Sequence, residues 1–214
     1  MHKGARFWRL CFGALLWGIS AGAGAGGQGT LIGVLPSTPG GTDYQAYYDP
    51  GADLTWLADA NANGPMTWSQ AKAWVKQLNI NGITGWRLPD SAQPDPACSR
   101  QIAGISRGFN CTGSEMGSLF YKVLGNRSLP DVCGASRNCS NIATTFKNTG
   151  PFSHIKSNYY WTATKDPTDD NSVMYFDFRY GDQREVNKIF GMYAWPVHSG
   201  NVGHAATPEA ESAR

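Results

Sequence analysis

Gly85-Trp86-Arg87-Leu88-Pro89 is the stretch on which the fold turns. Pro89 cannot continue a helix, and it pushes Leu88 toward an extended conformation. Trp86 and Leu88 alternate around Arg87, so Arg87 faces away from them. A charged side chain set between two core residues often binds a carboxylate or the backbone carbonyls of a neighbouring segment. We read Trp86 and Arg87 as a structural clamp. An anion site at Arg87 is the sharper alternative.

The segment behind the clamp is periodic. Trp68, Ala71, Val75 and Leu78 fall on one face of a helix, with Lys72 and Lys76 on the other side. Thr67 can cap that helix, and Gln70 three residues on can complete a capping box. Trp68 and Trp74 read as core anchors. Further upstream, Asp43 to Asp49 and Asp53 to Leu57 read as a hairpin around the Asp49-Pro50-Gly51 turn. Asp59, Asn61 and Asn63, followed by Gly64, match the first half of a calcium loop. The twelfth position would be Gln70, which lacks the bidentate carboxylate of such loops, and Asn/Asp/Gly clusters also make ordinary turns. Residues 26–41, rich in Gly, Pro, Ser and Thr, read as a linker or loosely held N-terminal arm.

Ahead of the clamp the pattern is irregular until Asn158. A second helix fits Ser114 to Leu124. Gly104-Ile105-Ser106-Arg107-Gly108 matches the nucleophile-elbow pattern of hydrolases. That motif needs a buried strand before it and a helix after it; a polar, cysteine-bearing stretch precedes it instead, and we read it as a chance match. From Ser91 to Ser157 there are seven basic residues against three acidic. This excess favours an anionic partner such as a sulfated or acidic glycan; a scatter of surface cations is the plainer reading. After Asn158, strand character returns in Tyr159 to Thr164, Ser172 to Arg179 and Arg184 to Phe190. Val173, Tyr175, Asp177 and Arg179 share one face of the middle strand, and Met174, Phe176 and Phe178 share the other. Gly181-Asp182 reads as the hairpin turn. Met192 to His198 closes the domain, and residues 201–214 read as a disordered tail.

Residues 1–25 have the layout of a secretory signal peptide: Lys3, Arg6 and Arg9, a short apolar run from Leu10 to Ile19, then small residues to Ala25. The run is well short of the roughly 20 residues that span a bilayer, so no transmembrane segment is expected in the mature chain. Removing it discards Cys11 and leaves 15 basic residues against 16 acidic. A near-neutral chain does not indicate nucleic-acid binding by charge. Four cysteines remain in an exported chain: Cys98, Cys111, Cys133 and Cys139. Of the three pairings, Cys98–Cys111 and Cys133–Cys139 each close a local loop. Zinc is the alternative, with His154 as the nearby histidine, but no paired C-x-x-C spacing supports it.

Taken together, Leu54-Thr-Trp-Leu-Ala-Asp59, Met66-Thr-Trp-Ser-Gln-Ala71, Gly85-Trp-Arg-Leu-Pro89, Tyr159-Tyr-Trp-Thr-Ala-Thr164 and Tyr193-Ala-Trp-Pro-Val-His-Ser-Gly200 resemble the Lcl C-terminal domain family. The resemblance covers about Tyr44 to Gly200. It implies an α+β, C-type-lectin-like fold at residues 42–200: two helices packed on a twisted, mainly antiparallel sheet, with long irregular loops. It also implies that Asp53–Leu57 lies beside Ala194–His198. Where the family commonly has an arginine after the valine of the last motif, this chain has His198. The related formylglycine-generating enzymes depend on a cysteine-based copper site; with these cysteines read as disulfides, that activity does not transfer.

The resulting expectation is an exported, non-enzymatic bacterial binding module, adhesin-like or lectin-like, that recognises glycan or protein at a cell surface. The expected ligand face is the late hairpin: Arg179, Tyr180, Asp182, Arg184, Asn187 and Lys188. The expected location is periplasmic, cell-surface or extracellular. No cofactor is expected, calcium at Asp59, Asn61 and Asn63 aside. A structural envelope protein that self-associates as a homo-oligomer, or an exported serine hydrolase using Ser106, are the alternatives.

Overall fold

A computed structural model describes residues 30–134 and 139–204. The signal-peptide reading of residues 1–25 and the end of the expected tail lie outside them. The fold is α+β. One antiparallel sheet has the order β1-β2-β3-β9, from Ile32–Pro36, Tyr44–Asp49, Leu54–Leu57 and Val197–Ser199. The other has the order β4-β5-β8-β7-β6, from Arg100–Ile102, Ile105–Phe109, Asp182–Asn187, Ser172–Asp177 and Tyr159–Lys165. Helix α1 is Trp68–Gln77, α2 is Glu115–Ser118 continuing into a π-helical turn over Leu119–Val123, and α3 is Leu129–Cys133. Among the described residues, no helix is long and apolar enough to cross a membrane.

Two sheets stand where one was expected. They are joined edge to edge through the stretch before β9: Tyr160 bridges Tyr193, and Arg87 bridges Val197. The expected pairing of first and last strands is present, with Thr55 opposite His198 and Trp56 opposite Val197. The reading of residues 26–41 as a linker is corrected over Ile32–Pro36, which pairs with β2 as an edge strand. Gly33 hid it from the sequence pattern. A Cβ there would lie 2.1 Å from the Tyr44 ring, so the ring occupies the place of a side chain. The tail reading is corrected at its start, because Val202 is buried against the first core.

β7 shows why the second sheet stays put. It lies between β8 and β6 and is buried on both faces. Phe176 faces a core of Trp56, Phe120, Phe178 and Trp195, while Val173 faces a second core built on Trp68, Ala71, Val75 and Trp161. α1 closes this second core. Gln70 Oε1 accepts a 2.9 Å bond from the Thr67 N–H, fixing the first turn. The Trp68 indole N–H donates to the Thr162 carbonyl at 2.8 Å.

The Trp86–Arg87 turn holds three pieces together. Trp86 and Leu88 are buried and Arg87 is half-buried. Arg87 exchanges both backbone bonds with Val197 at 2.9 Å. Its guanidinium forks onto Glu115, with Nη1 donating at 2.8 Å and Nη2 at 2.7 Å. Glu115 also accepts from the Asp90 N–H at 2.7 Å. Fork-to-fork pairing fixes direction as well as distance, so this ion pair sets α2 against the strand that closes the first sheet. Glu115→Ala should lower the unfolding free energy by about 2 kcal/mol, as expected for losing charged hydrogen bonds at a partly buried site. Urea denaturation checks this; a change within about 0.5 kcal/mol would reduce the pair to a surface contact.

Candidate functional site

Strand register lays out one face of the second sheet. Tyr159 pairs with Asp177, and Asp177 with Asp182. One row along, Trp161 pairs with Tyr175, and Tyr175 with Arg184. Phe109 pairs with Asp182 and Gly108 with Gln183, where the β5–β8 ladder ends at a φ of 94°, and Arg107 pairs with Arg100. Directly opposed residues share a face. One face of the sheet therefore carries Tyr159, Tyr175, Asp177, Asp182 and Arg184, and Arg100 and Arg107 meet Arg184 around one pocket.

α1 covers only part of this face. It packs on Trp161, Val173 and Val186. The part toward β4 and β5 is left open: Arg184 and Arg100 are exposed, and Arg107 and Tyr175 are half-buried. Arg100, Arg107 and Arg184 line a pocket of about 210 Å³ together with Gly108 and Phe109. Asp182 lies beneath them, buried. Its carboxylate Oδ2 pairs with Arg184 Nε, and Arg107 pairs with Glu185. At the turn, Arg179 lies 5.0 Å from the Tyr159 ring centre and 4.8 Å from that of Tyr180. It also bonds the Tyr159 hydroxyl and pairs with Asp177 at 3.2 Å. Guanidiniums and tyrosine rings thus lie around the carboxylates of Asp177 and Asp182.

Burial pushes Asp182 above the usual carboxylate range, Arg184 opposes this, and Asp177 across the strand adds to it. Burial likewise raises Asp177, against the N–H and guanidinium of Arg179. The Tyr175 hydroxyl is pushed up to about 12, chiefly by burial.

A hairpin positions two of the arginines. Ala103 and Gly104 both have positive φ, at 52° and 82°, which is the geometry of a tight two-residue turn between β4 and β5. Cys98–Cys111 closes the base of this hairpin, and Cys133 pairs with Cys139. The Asp95 carboxylate then accepts from the Ala97 N–H at 3.0 Å and the Gly113 N–H at 2.9 Å. Asp95, Cys98 and Cys111 lie close enough together to suggest a metal group, but both sulfurs are consumed by the disulfide.

The six expected ligand residues do not form one site. Arg179, Tyr180, Asp182 and Arg184 lie at the turn end of the β7–β8 hairpin. Asn187 and Lys188 lie at the other end, about 17 Å away along the strand. There the Lys188 ammonium sits over the Trp68 ring at 5.2 Å and donates to the Asp170 carbonyl. The turn itself is shifted from expectation: Asp182 is the first residue of β8, buried rather than presented. Arg100, Arg107, Tyr159 and Tyr175 were missed as site residues.

Ser106 lies inside β5, fully buried. Its hydroxyl accepts from the Asp95 N–H at 2.8 Å and donates to Gln101, so the strand-to-helix elbow is absent. Asp59 Oδ1 accepts from the Asn61 N–H at 2.8 Å and Oδ2 pairs with His154 at 3.0 Å. Asn63 donates toward the Met66 sulfur, and Gln70 is engaged with Thr67. These are the contacts of a turn. A cavity of about 590 Å³ is lined by Leu31, Val123, Leu124 and residues 147–151.

No protein-family model matches the chain, and no curated protein does. The resemblance carried by the motifs therefore stands on those residues alone.

Replacing Cys98 and Cys111 together by alanine should lower stability by about 3 kcal/mol, the loop-closure value for a loop of this size. Guanidinium denaturation under non-reducing conditions measures it, and an unchanged midpoint would mean that the hairpin is held without the bridge.

Proposed function

We propose that this chain is an exported, non-enzymatic binding module that recognises an acid-bearing glycan or protein at a bacterial cell surface. The uncovered part of the sheet face is its ligand surface. The observation that carries this is the cluster of Arg100, Arg107 and Arg184 around one pocket beside Tyr175, with Arg100 and Arg184 exposed and no element packed over them among the described residues. Guanidiniums match carboxylate and sulfate oxygens through paired N–H donors. Tyrosine rings offer flat apolar surface with a polar edge, which suits the carbon–hydrogen face of a sugar ring. The pocket, at about 210 Å³, is smaller than the usual drug-sized site. It suits one charged group or one sugar unit, so affinity would come from repeated contacts along the face. The motif resemblance to the Lcl C-terminal domain family, with its C-type-lectin-like fold, supports the same reading, and so does the signal-peptide layout.

The test is a glycan array and a cell-surface pull-down with the mature protein. Arg184→Ala and Tyr175→Ala should each weaken binding about five- to tenfold, as for the loss of a charged hydrogen bond or an aromatic contact. Lys188→Ala should leave it unchanged. Equal binding by all three variants would move the ligand surface elsewhere.

A further inference from the structure

Asp182 is placed so that it competes with any ligand for the arginines. It is 6% exposed. One carboxylate oxygen is paired with Arg184, while the other, Oδ1, is buried with no hydrogen-bond partner among the described residues. The charged and titratable groups facing it come from each neighbouring element. From β4 this is Arg100, from β7 Asp177 and Tyr175, and from β8 Arg184, while Arg107 of β5 is paired with Glu185. Arg179 pairs with Asp177 from the turn, and Tyr121 approaches from the π-helical turn, where its hydroxyl donates to the Gly181 carbonyl. Asp177 is directly opposite Asp182 in the register, and like charges so placed repel.

We propose that the arginine-lined pocket is a proton-gated oxyanion site: protonation of Asp182 releases Arg184, and with it Arg100, to hold the oxyanion of a ligand. The inference rests on the ligand-surface reading above and adds its regulation. The chemistry balances simply. One proton moves from solvent to the Asp182 carboxylate, its ion pair with Arg184 opens, and the guanidinium pairs with an incoming sulfate, phosphate or carboxylate. Protonation removes the negative charge paired with Arg184, and the pocket gains one net positive charge while Arg107 keeps its pairing with Glu185. The unpartnered Oδ1 makes the neutral form accessible, because protonating it breaks no existing hydrogen bond. The buried position also keeps the carboxyl above its ordinary value, so the change falls at a higher pH than for a free carboxylate.

Inorganic sulfate is the probe, because it stays a dianion over the pH range titrated and any pH dependence belongs to the protein. Isothermal titration calorimetry of the mature protein with sulfate should show affinity rising about tenfold from about pH 7 to about pH 4.5, with net proton uptake on binding. Asp182→Asn should bind tightly at about pH 7 and lose the pH dependence, with near-ultraviolet circular dichroism confirming a native fold. Wild-type affinity that does not change with pH, or Asp182→Asn binding more weakly at neutral pH, overturns the gate while leaving the ligand surface intact. No sulfate binding at any pH overturns both. Phosphate and acetate in parallel titrations distinguish the oxyanion sources.

Discussion

A single helix is too small for the face it covers, and the open surface follows from that. α1 has ten residues, so it is about 15 Å long and about 10 Å across. Five strands spaced about 4.8 Å apart make a face roughly 20 Å wide. α1 seals the end built from Trp161, Val173 and Val186 and leaves the β4–β5 end uncovered. Elsewhere the protein buries its aromatics thoroughly: Trp56, Tyr160, Phe176, Phe178 and Trp195 are all nearly inaccessible. Polar strands facing solvent are common in antiparallel sheets. A row of arginines and tyrosines above buried aspartates is a more specific composition, because each buried carboxylate must be matched by a cation.

The rest of the architecture fixes the two edges of that surface. The Arg87–Glu115 fork ties α2 to the closing strand. The Cys98–Cys111 bridge and the Asp95 carboxylate tie down the hairpin that carries Arg100 and Arg107. The π-helical turn after α2 supplies Tyr121, which bonds the Gly181 carbonyl at the start of β8. The clamp and the arginine face are therefore linked through one helix, although the clamp itself touches no part of the face.

Much of the scaffold was legible because it rests on local chemistry. Alternation around Arg87 separated the buried Trp86 and Leu88 from a guanidinium that needed a carboxylate. The spacing from Trp68 to Leu78 gave α1, and short loop closure gave both disulfides. β1 was hidden because Gly33 carries no side chain and Tyr44 fills its place. The β4–β5 hairpin was hidden because Ala103, not Asn or Asp, takes the first positive-φ position of its turn. With that hairpin unseen, Arg100 and Arg107 read as scattered cations. Tyr175 and Asp177 were placed on the same strand face, while Arg179 lies in the turn beyond β7, and a one-strand pattern does not say which strands flank it or how far α1 reaches. Burial of Asp182 depends on a five-strand order that no local pattern encodes.

Amide chemical-shift mapping is the most direct test of the central claim that the uncovered sheet face is the ligand surface. The mature protein would be titrated with an acidic oligosaccharide and its backbone resonances followed. The account predicts shifts concentrated on β4, β5, β8 and the middle of β7, around Arg107, Arg184 and Tyr175. Shifts confined to residues 147–151 and Leu31, around the 590 Å³ cavity, or to the Asn187–Lys188 end of the hairpin, would contradict it.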